Sequence, residues 1–138
     1  MVIARSFREL ETYKQARAAA GKIFEITKTF PREEGYALTD QIRRSSRAVG
    51  AMIAAAWARR RYRAAFVSKL DEALEEAMAA QAWLDHSLDC GYIPEALHGE
   101  LDAQWQSIGG RLNRMMDRAD DFCKFSPHHT GRFAPLNA

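Results

Sequence analysis

Cysteine is scarce in this chain, which contains only Cys90 and Cys123. If the stretch between them is largely helical, a rise of about 1.5 Å per residue places the two thiols too far apart for a disulfide. His86 and His98 flank Cys90 without the close ligand pairs that zinc sites favour, and the adjacent His128-His129 stand in a polar tail. We therefore expect free thiols in a reducing compartment, and neither a metal nor a cofactor.

Long apolar runs are also missing. The first twenty residues carry six charged side chains: Arg5, Arg8, Glu9, Glu11, Lys14 and Arg17. This distribution leaves no apolar core for a signal peptide or a membrane-spanning helix. The chain also lacks a phosphate-binding glycine loop and the Glu-x-x-His spacing of a di-iron bundle. The sequence predicts a cytoplasmic protein that is not an enzyme and has no membrane partner.

Glycine and proline occur at few places, with eight glycines and four prolines in 138 residues. The stretches between them are rich in Ala, Leu, Glu, Gln and Arg, which favour helix. Apolar residues recur there every three or four positions, which predicts helices over about 6–29, 39–61, 64–89 and 94–122. Short links predict an all-α, antiparallel, up-down-up-down four-helix bundle over residues 1–125, followed by a flexible tail over 126–138.

Several local signals mark the ends of these helices. Ser6 and Glu9 have the spacing of a capping box, which predicts that the first helix opens there. Gly91 is placed to close the third helix in a left-handed cap, and Pro94 to begin the fourth. The pair Gly109-Gly110 costs the fourth helix roughly 1 kcal/mol per glycine relative to alanine, which we interpret as a sign of close helix packing.

Acidic residues are absent between Gln41 and Arg63. This segment contains seven arginines: Arg43, Arg44, Arg47, Arg59, Arg60, Arg61 and Arg63. Residues 71–121 have the opposite balance, with twelve carboxylates and three arginines. The net charge of +2 therefore hides a strong internal asymmetry.

The arginines form two clusters near opposite ends of the predicted second helix, and two explanations for them stay open. Guanidinium groups suit phosphate recognition, and Tyr62 in the second cluster could stack on a base, which predicts binding of RNA or DNA. Alternatively, the arginines pair with carboxylates of the same or a neighbouring subunit. The candidate carboxylates are Asp71, Glu72, Glu75, Glu76, Asp117, Asp120 and Asp121. In that second reading the partners are proteins only.

The face of the second helix opposite its core stripe is apolar, whereas a bundle helix normally has water behind it. Its residues are Gly50, Ala51, Met52, Ala54, Ala55, Trp57 and Ala58. Alanine tolerates water well, so this face could remain solvated. Met52 and Trp57 are larger, and we therefore predict that the face packs on another copy of the chain. A homo-oligomer follows.

Local strings in this helical framework resemble a known bacterial family. They are FRELETYKQAR at 7–17, Phe30-Pro31, YALTDQIRRSS at 36–46 and Gly91-Tyr92-Ile93. In order and spacing over about 6–122, they are similar to the four-helix-bundle proteins related to those encoded in intervening sequences of 23S ribosomal RNA genes. The resemblance implies a small cytosolic bundle, and it implies a pentamer because pentameric rings are known in the family. A distant relative, the accessory protein of diversity-generating retroelements, associates with a reverse transcriptase and nucleic acid.

The chain also departs from the family pattern. After the paired arginines the family commonly has Pro-Ser-Asn-Ile-Ala-Glu-Gly, whereas this chain has GAMIAAA at 50–56. Acidic positions typical of the third helix fall here at Ala79 and Gln81. Any family function that requires those polar groups is therefore in doubt for this chain. The alanine-rich replacement can also give this chain a helix packing or oligomer geometry different from that of the family.

Overall fold

Helices joined by short links make up the computed structural model, which describes residues 4–123 and 137–138. The helices are α1 (Glu11–Thr27), α2 (Asp40–Ala58), α3 (Arg63–Asp89), α4 (Glu95–Asp117) and the short α5 (Ala119–Phe122). The described residues form no strand, so the predicted all-α class is confirmed. No helix in these ranges is both long enough and apolar enough to span a membrane.

The four long helices form a closed bundle. α1 packs against α2 and α4, α2 packs against α3, and α3 packs against α4. Consecutive helices are thus neighbours joined by short links, which requires them to run antiparallel. The predicted four-helix bundle is confirmed, and so is a break between its second and third helices. The break lies at residues 59–62, because α2 ends three residues earlier than the predicted 61.

One apolar stripe from each long helix contributes to a common core. The largest fully buried side chains are Leu10, Ile23, Ile42, Ile53, Phe66, Leu70, Leu84, Leu101, Trp105, Ile108, Leu112 and Phe122. Burial of each such side chain contributes roughly 1.5–3 kcal/mol. The ring of Phe122 stacks on that of Phe66 with 5.3 Å between centroids, so α5 covers one end of the bundle.

The start of the first helix differs from the prediction. The Ser6 hydroxyl accepts a hydrogen bond from the Arg8 amide at 3.2 Å, and the Glu9 carboxylate accepts one from the Arg5 amide at 2.6 Å. These bonds cap a single 3₁₀ turn and not a long helix. Leu10 then adopts an extended conformation that turns its side chain into the core, where it is 1% exposed, and α1 begins only after it. Burial of this leucine overrides the capping signal.

The link between α3 and α4 follows the prediction. Gly91 has φ of 76°, in the left-handed region that favours glycine. Its amide donates to the Leu88 carbonyl, and the Tyr92 amide donates to the Ser87 carbonyl, both at 2.9 Å. These two bonds are the Schellman pattern of a helix end. Pro94 precedes the first residue of α4 and caps it in an extended conformation.

A tyrosine connects the two links at this end of the bundle. The Tyr92 hydroxyl donates to the Glu34 carboxylate at 2.7 Å, and its ring packs 5.4 Å from that of Phe30. This hydrogen bond, helped by desolvation, raises the pKa of Tyr92 to about 12. The link before α2 is therefore held to the link before α4.

Most of the predicted flexible tail over 126–138 lies outside the described residues. Of this segment, Asn137 and Ala138 are described. The Ala138 carbonyl accepts from the Thr12 amide at 3.0 Å, and the Asn137 carbonyl accepts from Arg111 at 3.3 Å. The last two residues therefore contact α1 and α4.

Candidate functional site

The first arginine cluster, here called the proximal patch, consists of Arg43, Arg44 and Arg47 near the start of α2. The guanidinium groups of Arg43 and Arg47 lie 4.8 and 5.4 Å from the ring centroid of Phe24, and the Lys28 ammonium lies 4.9 Å from it. One aromatic ring of α1 thus contacts three cations. Each such contact is worth about 0.5–1 kcal/mol at an exposed site, which offsets part of the repulsion among the cations.

Arg43 is held in place by a second contact. Its Nε donates to the Thr27 hydroxyl at 2.8 Å, and that hydroxyl in turn donates to the Ile23 carbonyl at 2.8 Å. Because Thr27 is buried and its hydrogen bonds fix the hydroxyl, Arg43 has a defined orientation. Within the described residues, its two terminal nitrogens form no hydrogen bond and can meet another partner.

The proximal patch has no carboxylate partner within residues 4–123 and 137–138. Arg43, Arg44 and Arg47 form no ion pair with these residues, and Arg44 and Arg47 are exposed. The neighbouring Lys28 does form one, with Glu25 at 3.1 Å on the surface. The patch therefore combines closely spaced positive charge with accessible donors, an arrangement that attracts an anion.

The second cluster, here called the distal cluster, consists of Arg59, Arg60, Arg61, Tyr62 and Arg63 around the α2–α3 link. Arg60 lies 3.5 Å over the ring of Trp57 and donates to its carbonyl at 2.8 Å. Burial lowers the pKa of Arg60, and a charge interaction with Cys123 opposes this shift. Arg63 pairs with Asp120 at 2.9 Å, while Tyr62 is 66% exposed. Internal contacts therefore engage part of this cluster.

The sequence left two explanations for the arginines, phosphate recognition and ion pairing with carboxylates. Within the described residues, ion pairing occurs in the distal cluster and not in the proximal patch. Asp120, one of the candidate acids, pairs with Arg63 in the distal cluster. Glu72 and Asp121, two others, pair instead with Lys69 and Arg118 of their own helical segments. None of these three acids forms a described ion pair with the proximal patch.

An open apolar groove of about 520 Å³ lies between α1 and α2, and we call it the α1–α2 groove. Tyr13 and Phe24 line it from α1, and Ala51 and Ala54 line it from α2. A Cβ atom at Gly50 would lie 3.4 Å from the Tyr13 ring, which is about an ordinary contact, so α1 and α2 lie close together here. Arg17 and Arg47 also line the groove, and both are exposed, so its surroundings are basic.

The residues of the predicted subunit interface differ in their exposure to solvent, whereas the helical wheel placed them on one face. Gly50 is buried against α1, and Ala54 and Ala55 are half-buried. Met52 and Trp57 pack partly against the core, while Ala51 and Ala58 are exposed. Gly50, Ala51 and Ala54 thus line the α1–α2 groove, whereas the other four residues lie outside it. A helical wheel of α2 alone cannot show where the neighbouring helix α1 lies.

A polar cluster between α3 and α4 was not predicted. His98 Nε2 lies 2.8 Å from a carboxylate oxygen of Asp85, and Asp102 lies close enough that one donor atom from each of the three falls within 4.8 Å of the others. Gln81 donates to Asp102 at 3.2 Å and to Gln106 at 3.0 Å. The spacing of four between His98 and Asp102 was visible in the sequence, whereas Asp85 approaches them only through packing of α3 on α4.

The two cysteines are free, as predicted, and they differ in environment. Cys90 is exposed at the end of α3, and Cys123 is buried after α5. Burial raises the pKa of the Cys123 thiol, although the nearby Arg63 and Arg60 oppose the shift. A buried thiol with a raised pKa is a poor nucleophile.

Comparison with known proteins identifies relatives of this fold. A family model described as 23S rRNA-intervening sequence protein matches residues 8–114, a span that contains α1, α2, α3 and most of α4. Among solved structures, the chain is similar to a protein of unknown function from the S23 ribosomal protein family of Bacteroides thetaiotaomicron VPI-5482. The TM-score is 0.69 at 24% identity, over 77% of this chain and 95% of that chain, so the likeness shows a shared fold. Comparison with curated proteins gives no match.

Proposed function

Because the chain belongs to the family of 23S rRNA-intervening sequence proteins, we propose that it is a non-enzymatic, homo-oligomeric helical scaffold that binds RNA or DNA through its proximal patch. The observation that carries the proposal is the contrast between the clusters. Arg63 of the distal cluster has an acidic partner, whereas Arg43, Arg44 and Arg47 have none within the described residues. The proximal patch is therefore the better polyanion site.

The chemistry of the proximal patch suits phosphate groups. Guanidinium groups offer paired N–H donors that match two oxygens of one phosphate. Arg43 and Arg47 lie one helical turn apart beside Phe24, which limits the side-chain entropy lost when an anion binds. Contacts to phosphate carry no sequence information, so we expect little sequence preference.

Assembly would strengthen this binding. The apolar lining of the α1–α2 groove gives a second copy a surface to bury, which supports a homo-oligomer. Several proximal patches in one particle would engage one nucleic acid with an avidity far above that of a single patch. The pentamer that the family resemblance implies would present five such patches.

Binding measurements across a range of salt concentrations test the nucleic-acid proposal. Fluorescence anisotropy with single-stranded and double-stranded RNA and DNA should give an affinity that falls at least tenfold between 50 and 200 mM salt, because bound arginines release counterions. The triple variant Arg43→Glu, Arg44→Glu and Arg47→Glu should abolish binding. No detectable binding by the wild-type protein at 50 mM salt would contradict the proposal.

A matched control separates the patch from net charge. The triple variant Lys14→Glu, Lys22→Glu and Arg114→Glu changes the net charge equally at three exposed positions outside the patch. It should retain most of the affinity. An equal loss in both triple variants would indicate a general charge effect and count against a defined site.

The second candidate function is assembly with protein partners only. The contacts of Arg60 with Trp57 and of Arg63 with Asp120 favour it, because they show arginines of this segment serving internal structure. In this function the proximal patch pairs with acids of a neighbouring subunit. An intact oligomer that binds no nucleic acid, and that dissociates when Arg43, Arg44 and Arg47 are reversed to glutamate, would favour it.

A further inference from the structure

We propose that Asp85, His98 and Asp102 bind a divalent transition-metal ion such as Zn²⁺, which cross-links α3 to α4. The three side chains offer one imidazole nitrogen and carboxylate oxygens, and one donor atom from each lies within 4.8 Å of the other two. Imidazole and carboxylate are ligands that Zn²⁺ accepts in proteins. The proposed site differs from the sequence expectation of no metal, and it is independent of the proximal patch.

The observed distances match a three-ligand site after small side-chain rotations. Donor atoms bound to Zn²⁺ at about 2.0–2.2 Å in tetrahedral geometry lie roughly 3.4 Å from each other. His98 Nε2 and the Asp85 oxygen are now 2.8 Å apart, so they need to separate by about half an ångström to admit the ion. The Asp102 oxygen lies within 4.8 Å of the other two donor atoms, so it needs to approach them by at most about 1.4 Å.

The backbone positions of the ligands are fixed by helices. His98 and Asp102 are four residues apart and therefore neighbours on one face of α4. The His98 amide donates to the Pro94 carbonyl at 3.0 Å, so this ligand belongs to the first turn of the helix. Asp85 lies on α3, about one turn before its end at Asp89. Ligands on rigid elements preserve their geometry better than ligands on loops.

Neighbouring groups support the site and leave it accessible. Gln81 donates to Asp102 at 3.2 Å, which orients one carboxylate oxygen and leaves the other for a metal. Gln106 accepts from Gln81 and fixes its amide in turn. Such outer hydrogen bonds typically change metal affinity by about 10–100-fold. The side chain of Asp85 is 66% exposed, so an ion and its remaining water ligands can reach the site from solvent.

The simpler alternative is an ion pair between His98 and Asp85 without a metal. It accounts for the 2.8 Å contact, and Asp102 then serves only as the acceptor for Gln81. If the three groups bind the ion together, replacing Asp102 weakens zinc binding. If His98 and Asp85 form only an ion pair, replacing Asp102 does not change zinc binding.

Zinc titration of the full chain tests the proposal. Because His128 and His129 also offer imidazoles, the reference protein carries His128→Ala and His129→Ala. Isothermal titration with Zn²⁺ should give one ion per chain. His98→Ala should abolish this binding, and Asp85→Asn or Asp102→Asn should weaken it at least tenfold, because each removes one of three ligands.

A control variant and a second readout complete the experiment. His86→Ala removes an exposed imidazole next to Asp85 that is not part of the cluster, and it should bind as the reference does. Saturating Zn²⁺ should raise the Tm of the reference protein and leave that of His98→Ala unchanged, because only a ligand of the folded state stabilises it. No binding by the reference, binding unchanged in His98→Ala or Asp102→Asn, or equal losses in His86→Ala and His98→Ala would overturn the proposal.

Discussion

Phe24 determines how positive charge is arranged on the surface formed by α1 and α2. Its ring contacts Lys28, Arg43 and Arg47, and the buried Thr27 holds Arg43 beside it. The sequence predicted the concentration of positive charge, because seven arginines occur between Gln41 and Arg63 without an acid. It did not predict the role of Phe24, although an aromatic residue outside the core stripe of α1 was a usable signal. What brings Phe24 to the arginines is the packing of α1 on α2.

Tyr92 provides a pH-dependent test at the residue scale. Its pKa is about 12 in the folded protein, mainly because its hydroxyl donates to Glu34, whereas a free tyrosine titrates near 10. The folded state therefore binds more protons between these values, and the free energy of unfolding falls as pH rises through that window. The contribution is complete below about pH 10 and is lost above about pH 12.

We expect Tyr92→Phe to remove this part of the pH dependence. Urea denaturation at several pH values between 9 and 12, followed by circular dichroism, measures it. The control is Tyr36→Phe, since the Tyr36 side chain is 82% exposed. Identical pH profiles for the wild type and Tyr92→Phe would contradict the role of the Glu34 contact.

The helices themselves follow local chemistry except where burial overrides it. The break at 59–62 and the Gly91 cap were predicted correctly, because both depend on residues adjacent in sequence. The predicted start of α1 was wrong, because burial of Leu10 competes with the cap at Ser6. The close-packing interpretation of Gly109-Gly110 has limited support. A Cβ atom at Gly109 would lie 3.4 Å from Leu74, which is about an ordinary contact.

Gly91, which closes α3, and Gly99, which lies in α4, give opposite expectations at the element scale. Gly99 lies inside the helix, and a Cβ atom added there would meet nothing within 4 Å. Gly99→Ala should therefore raise the free energy of unfolding by about 1 kcal/mol. Gly91→Ala, at φ of 76°, should lower it by about 1–2 kcal/mol. Chemical denaturation measures both, and a stabilised Gly91→Ala would contradict the left-handed cap.

At the scale of the whole molecule, the residues that the structure describes leave the apolar α1–α2 groove open. The α1–α2 groove contains Ala51 and Ala54 from the predicted interface, and its lining includes Arg47 of the proximal patch. A second copy in the groove would thus lie beside the proposed nucleic-acid site. Assembly and nucleic-acid binding are therefore expected to influence each other.

Light scattering tests the proposed assembly. The wild-type protein should have a mass that is a multiple of 15.6 kDa. Ala51→Glu places a charge on an exposed position of the groove and should reduce this mass, because an unpaired carboxylate is costly to bury. Ala103→Glu, at an exposed position of α4, is the control and should keep the wild-type mass. A wild-type monomer at micromolar concentration would contradict a homo-oligomer.

The sequence by itself determined the four helices, their links, the family and the charge asymmetry, because helix propensity, apolar period and composition depend on residues near one another in the chain. Only the tertiary structure decided which arginines have acidic partners, since Asp120 is 57 positions from Arg63. It also brought Asp85 to His98 and Asp102, and placed part of the apolar face of α2 in a groove shared with α1. These juxtapositions depend on how whole helices pack against each other, which no local pattern specifies.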